Sequence, residues 1–94
     1  MSTTVTNSPS ASRYELTVDG EPAGIAEYRL SENEIVFTHT EVDTERRENG
    51  LGGDLVRHAL DDVRANSTKR VVASCPFVSS WIGDHPEYQD LLTR

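Results

Sequence analysis

The sequence predicts a single α/β domain, a mainly antiparallel sheet with one principal helix packed across it and short helices at the C-terminal end. Three observations carry this expectation. Apolar and polar residues alternate around Tyr14, Leu16 and Val18 and again over residues 35–42, the period of half-buried strands. From Gly50 the pattern changes to a helical one, with Leu51, Leu55, Ala59 and Val63 in register and Val56 and Leu60 beside them. Two prolines, Pro76 and Pro86, then divide the remainder into short segments suited to helix starts.

Taken in order, residues 1–12 are polar Ser, Thr and Asn with little apolar content and read as a flexible N-terminal tail, leaving residues 13–94 as the folded domain. Tyr14, Leu16 and Val18 form a first strand, Asp19-Gly20 a turn, and residues 25–30 the second arm of a hairpin. Residues 31–33 turn the chain again. In the third strand, strict alternation puts Ile35, Phe37, His39 and Glu41 on one face and Val36, Thr38, Thr40 and Val42 on the other. The helix that starts after Gly50 turns Asp54, Arg57, His58, Asp61 and Arg64 to solvent and ends near Asn66. Val71, Val72 and Ala73 form a short buried strand beneath it, which Pro76 stops. Tyr88, Leu91 and Leu92 are expected to pack inward from a last helical turn, with Trp81 and Tyr88 closing the core.

Composition restricts function. With 94 residues and 35% hydrophobic content the chain supports one modest core and no separate regulatory domain. Nine basic against sixteen acidic residues give a net charge of −7, which disfavours nucleic acid and anionic membranes and favours cationic small molecules or basic peptide ends. The single cysteine, Cys75, excludes an internal disulfide, and the absence of Cys/His spacing of ligand type leaves no metal site to expect. His58 reads as a surface partner of Asp54, and His85, before Pro86, as a turn residue. No apolar run spans a bilayer and residues 1–12 lack a signal-peptide core, so a cytoplasmic protein is expected, and, with no long apolar strand edge or heptad left unused, a monomer.

The segment RRENGLGGDL, residues 46–55, sets three glycines where a strand gives way to a helix. Two readings stand. Unpaired N–H groups at a helix start carry partial positive charge, and glycines let an anion approach them without meeting Cβ atoms. Alternatively, Gly50, Gly52 and Gly53 serve only a tight turn and close packing of the helix. Arg46 and Arg47, two cations in an acidic protein, favour the anion.

Arg47-Glu48-Asn49-Gly50-Leu51-Gly52 is similar to the R/Q-x-x-G-x-G/A signature of the GCN5-related N-acetyltransferases. The resemblance extends over roughly residues 14–92. HTEV (residues 39–42) before the loop and CPFVSSWIGDHPEY (residues 75–88) after the next strand resemble a small, uncharacterised N-acetyltransferase-like subgroup of about one hundred residues, in which glycine often stands where this chain has Glu48. The resemblance implies an acetyl-CoA-dependent N-acetyltransferase with a small amine or peptide amine as acceptor. It implies that the strand ending near Val42 splays from the one ending near Ser74, that the pantetheine arm lies in the gap against Thr40 and Val42, and that Arg46, Arg47, Glu48, Asn49, Gly50, Leu51, Gly52 and Gly53 hold the pyrophosphate. Backbone N–H groups near Val42 would receive the oxyanion. His39 and Glu41, beside that gap, are candidates to take the amine proton, or else polar residues of a solvated strand face. Cys75 reads from its position as a small buried residue, and the Cys-Pro hallmark of the subgroup implies an acetyl-accepting or assisting thiol. The resemblance also implies a place for the Tyr88 hydroxyl near the leaving thiol. A non-catalytic coenzyme A-binding or interaction module is the alternative, and general anion or nucleotide binding a third.

Overall fold

The computed structural model describes residues 2–43 and 50–94. Tyr14, Leu16 and Val18 project from one side of β2 (Arg13–Val18) into the core. Asp19 and Gly20, both at positive φ (53° and 85°), turn the chain into β3 (Glu21–Leu30), the paired left-handed geometry of a two-residue hairpin. β4 (Glu34–Val42) continues the meander. α1 (Leu51–Asn66) carries the chain across the sheet to β5 (Arg70–Ala73), which pairs parallel to β4, as a crossover helix allows. Leu55, Val56, Ala59, Leu60 and Val63 are buried on α1 against Tyr14, Leu16, Ala26 and Phe37 of the sheet. α2 (Pro76–Gly83) and a 3-10 segment (Pro86–Thr93) add Val78, Ile82, Tyr88 and Leu91 to the same core. The α/β class expected from the pattern is the one observed: a five-stranded, mostly antiparallel sheet with one principal helix and short C-terminal helices.

Two expectations are corrected. Residues 3–8 are not tail: Thr3–Ser8 forms β1, antiparallel to β2, with Val5 opposite Leu16. An edge strand with few buried positions needs little apolar content, and threonine suits its pleated backbone, so polarity alone does not mark it as disordered. Asn7 closes the join by accepting the Tyr28 hydroxyl at 2.6 Å.

The second correction concerns faces. β4 pairs Phe37 with Tyr28 and His39 with Glu27, so Thr38 is an extra residue, a β-bulge, and alternation changes phase there. Thr40 opposes Ala26 and Val42 opposes Gly24, which puts both on the helix-covered face with Ile35 and Phe37. His39 and Glu41 are turned to the uncovered face, 53% and 67% exposed, with Nε2 and Oε1 3.5 Å apart. Strict alternation fails because one inserted residue reverses every side chain after it.

Opposite Val42, Gly24 lets β3 and β4 approach: a Cβ there would lie 2.8 Å from the Glu41 carbonyl oxygen and 3.3 Å from Val42 Cγ2. Backbone cannot swing aside as a side-chain tip can. Gly24→Ala should therefore cost about 1–3 kcal/mol, read as a lowered midpoint in thermal or urea unfolding. An unchanged midpoint would show that the strands part freely here.

Tyr14 fixes α1 over the sheet. Its hydroxyl donates to Asp62 at 2.6 Å, and burial, then the bond and charge of that carboxylate, hold the phenol well above its ordinary pKa.

Candidate active site

Pairing between β4 and β5 ends at Phe37 and Ala73. The N–H groups of Ser74 and Cys75 both donate to the Phe37 carbonyl, at 3.1 and 2.9 Å, and the chain then turns into α2 while β4 runs on to Val42. Between the separated segments lies a cleft of about 440 Å³ lined by Thr40, Val42, Gly50, Gly52, Gly53 and Phe77. The bulge at Thr38 is what turns Thr40 and Val42 into it.

The helix start forms the other end. Gly50 caps α1 at φ 72°, a left-handed conformation that glycine adopts without strain, and its carbonyl accepts the Asp54 N–H at 3.1 Å. The N–H groups of Leu51, Gly52 and Gly53 have no intrahelical acceptor at this terminus. No side chain among the described residues caps it. Leu51 itself is buried in the core, so only its backbone faces the helix start. Arg46, Arg47, Glu48 and Asn49 lie outside the described residues.

The glycines divide by role. A Cβ on Gly50 would meet nothing, so conformation is what glycine provides there. One on Gly52 would sit 2.7 Å from Phe77 Cζ, and one on Gly53 3.3 Å from Trp81 Nε1, so these two admit the aromatic residues of α2. Trp81 in turn stacks on His85 at 3.8 Å, with the Arg57 guanidinium 5.3 Å from its centroid, and His85 Nδ1 lies 2.6 Å from the Trp81 carbonyl oxygen.

Cys75 is buried, 5% exposed, at the N-cap of α2. Its Sγ donates to Thr40 Oγ1 at 3.4 Å. Burial pushes the thiol pKa up, but the Thr40 hydroxyl and the backbone N–H groups of Val78 and Phe77 outweigh it, and the net displacement is below the ordinary thiol value. The structure thus brings Thr40, Val42 and the glycines to one cleft, with the Cys75 thiol buried behind Thr40. It does not bring His39 and Glu41 to that face, nor the Tyr88 hydroxyl, which donates to Asp61 at 2.7 Å and accepts from Arg57 at 3.3 Å. Phe77 was not among the sequence-derived candidates. Its signal was an aromatic residue directly after Cys-Pro, out of phase with the buried Val78 and Ile82.

These features are those of an open cleft between splayed strands, with a glycine-rich helix start at one end. Residues 13–91 match the family described as GCN5-related N-acetyl-transferase, and the chain belongs to that family. Among solved structures, the ribosomal-protein-S18-alanine N-acetyltransferase from Escherichia coli superposes with a TM-score of 0.65 at 20% identity, covering 77% of this chain and 49% of that one. The chain thus spans about half the length of that protein. Comparison with curated proteins found no significant match.

Proposed function

We propose that the protein transfers an acetyl group from acetyl-CoA to the nitrogen of a small amine or peptide amine. The observation that carries this reading is the cleft itself, in which a strand edge and a glycine-rich helix start converge, with the Cys75 thiol hydrogen-bonded to Thr40 behind its wall. The pantetheine arm lies along Thr40 and Val42, and the pyrophosphate meets the backbone of Gly50 to Gly53, Arg46 and Arg47 being its candidate cationic partners from the sequence. The amine nitrogen attacks the thioester carbonyl carbon, the C–S bond breaks, coenzyme A leaves as thiolate, and the nitrogen gives up a proton. An amine entering from the uncovered face, through the gap beyond Phe37, meets His39 and Glu41 as proton acceptors. Cys75 participates as a transient acetyl acceptor or by assisting the transfer. A net charge of −7 favours a cationic acceptor, and the Escherichia coli neighbour, named for a protein alanine, is consistent with a peptide amine. The single cysteine suits a reducing cytoplasm. No described helix is long and apolar enough to cross a membrane.

Incubating the protein with acetyl-CoA and a panel of amines, and following free thiol release, tests the reading. Amine-dependent release is expected. A second reading, a coenzyme A-binding module without turnover, draws on the placement of His39 and Glu41 on the face away from the cleft. Binding without release for any amine would favour that module.

A further inference from the structure

Phe77 is 45% exposed, one of two large apolar side chains so placed among the described residues, and it lines the cleft together with Thr40 and Val42. The chain directs it there: Cys75-Pro76 starts α2, Val78 and Ile82 take the core-facing positions, and Phe77, one residue out of phase, turns to the opening. Its tip rests on Gly52, where a Cβ would be 2.7 Å from Cζ. An aromatic ring left in water forgoes burial energy that a ligand can recover by covering it.

We propose that Phe77 is the apolar platform for the pantetheine arm of the acyl donor, and that position 52 is glycine to seat this ring rather than to admit phosphate. The inference rests on the acyl-CoA reading above and assigns a positioning role within it. Because the atom that a Cβ would strike is the far end of a mobile, partly exposed side chain, Gly52→Ala leaves the fold intact and displaces the ring. Its effect on binding therefore passes through Phe77. Phosphate access, by contrast, would make the two positions independent.

A double-mutant cycle separates these. Coenzyme A affinity is measured by calorimetry for the parent, Gly52→Ala, Phe77→Ala and the double variant, with adenosine 3′,5′-bisphosphate, which lacks the pantetheine arm, as the second probe and thermal melting as the fold control. Phe77→Ala should weaken coenzyme A binding roughly fivefold to tenfold, with bisphosphate affinity unchanged. Gly52→Ala should also weaken it, and the double variant should bind no worse than Phe77→Ala alone. Losses that multiply in the double variant, or equal affinity of Phe77→Ala and the parent, overturn the pairing while leaving the cleft reading in place. A parent that binds no coenzyme A overturns both.

Discussion

Gly50→Val is expected to weaken coenzyme A binding at least roughly tenfold without unfolding the protein, because about 1–2 kcal/mol of left-handed strain falls on the residue that starts α1. Its φ of 72° is outside the comfortable range of an L-residue, and a β-branched side chain tolerates it worst. A Cβ there would touch nothing within 4 Å, so the effect cannot come from collision and must come from the backbone. Relaxing that strain moves the Leu51, Gly52 and Gly53 N–H groups away from the anion position. Gly50→Asn supplies the internal control, since asparagine accepts the left-handed region and should retain most of the affinity. Arg57→Ala, which removes the cation over the Trp81 ring and one of the two over Tyr88, should cost stability and leave coenzyme A affinity near that of the parent. Calorimetry with coenzyme A reads all three. Equal affinity in Gly50→Val and the parent would remove the helix start from the proposed site.

What could be read from the sequence, and what could not, has a physical pattern. The four-residue period of α1 and the alternation in β2 come from side chains that one buried face demands, and both are visible in residue type. β1 was missed because an edge strand buries so little that Thr3–Ser8 carries only Val5 as an apolar signal. The phase change at Thr38 has no compositional mark, since a bulge is a property of pairing between two strands. Its consequence is large: strict alternation puts Thr40 and Val42 on the face away from Phe37 and His39 and Glu41 on the face with it, and the bulge exchanges the two pairs. The glycine cluster was legible as a special site, but the partners of Gly52 and Gly53 belong to α2, and only the folded chain brings Phe77 and Trp81 to them.

Cys75→Ala is expected to lower acetyl transfer per folded molecule at least roughly tenfold while coenzyme A affinity and fold persist, the outcome that separates a chemical thiol from a packed one. If the side chain only filled space, removing one buried sulfur would cost about 1 kcal/mol of stability and leave the rate per folded molecule unchanged. The site favours chemistry in a specific way. The sulfur faces the Thr40 hydroxyl and the first N–H groups of α2, and these stabilise a thiolate against the opposing effect of burial. Because the folded pKa is lowered, the pH midpoint for alkylation of Cys75 should lie below that of a free thiol. The associated stability is fully present above the unfolded thiol's pKa and is lost as pH falls through the folded value. Thr40→Val removes the hydroxyl, which accepts from the thiol and turns to donate once the thiolate forms, and should move the alkylation midpoint upward, while Thr40→Ser should hold it in place. Rapid intact-mass measurement after mixing with acetyl-CoA should detect an acetyl adduct in the parent and none in Cys75→Ala if the thiolate attacks the thioester directly. A fully active Cys75→Ala protein, with no adduct in the parent, would assign transfer to direct amine attack, with His39, Glu41 or water on the uncovered face taking the proton.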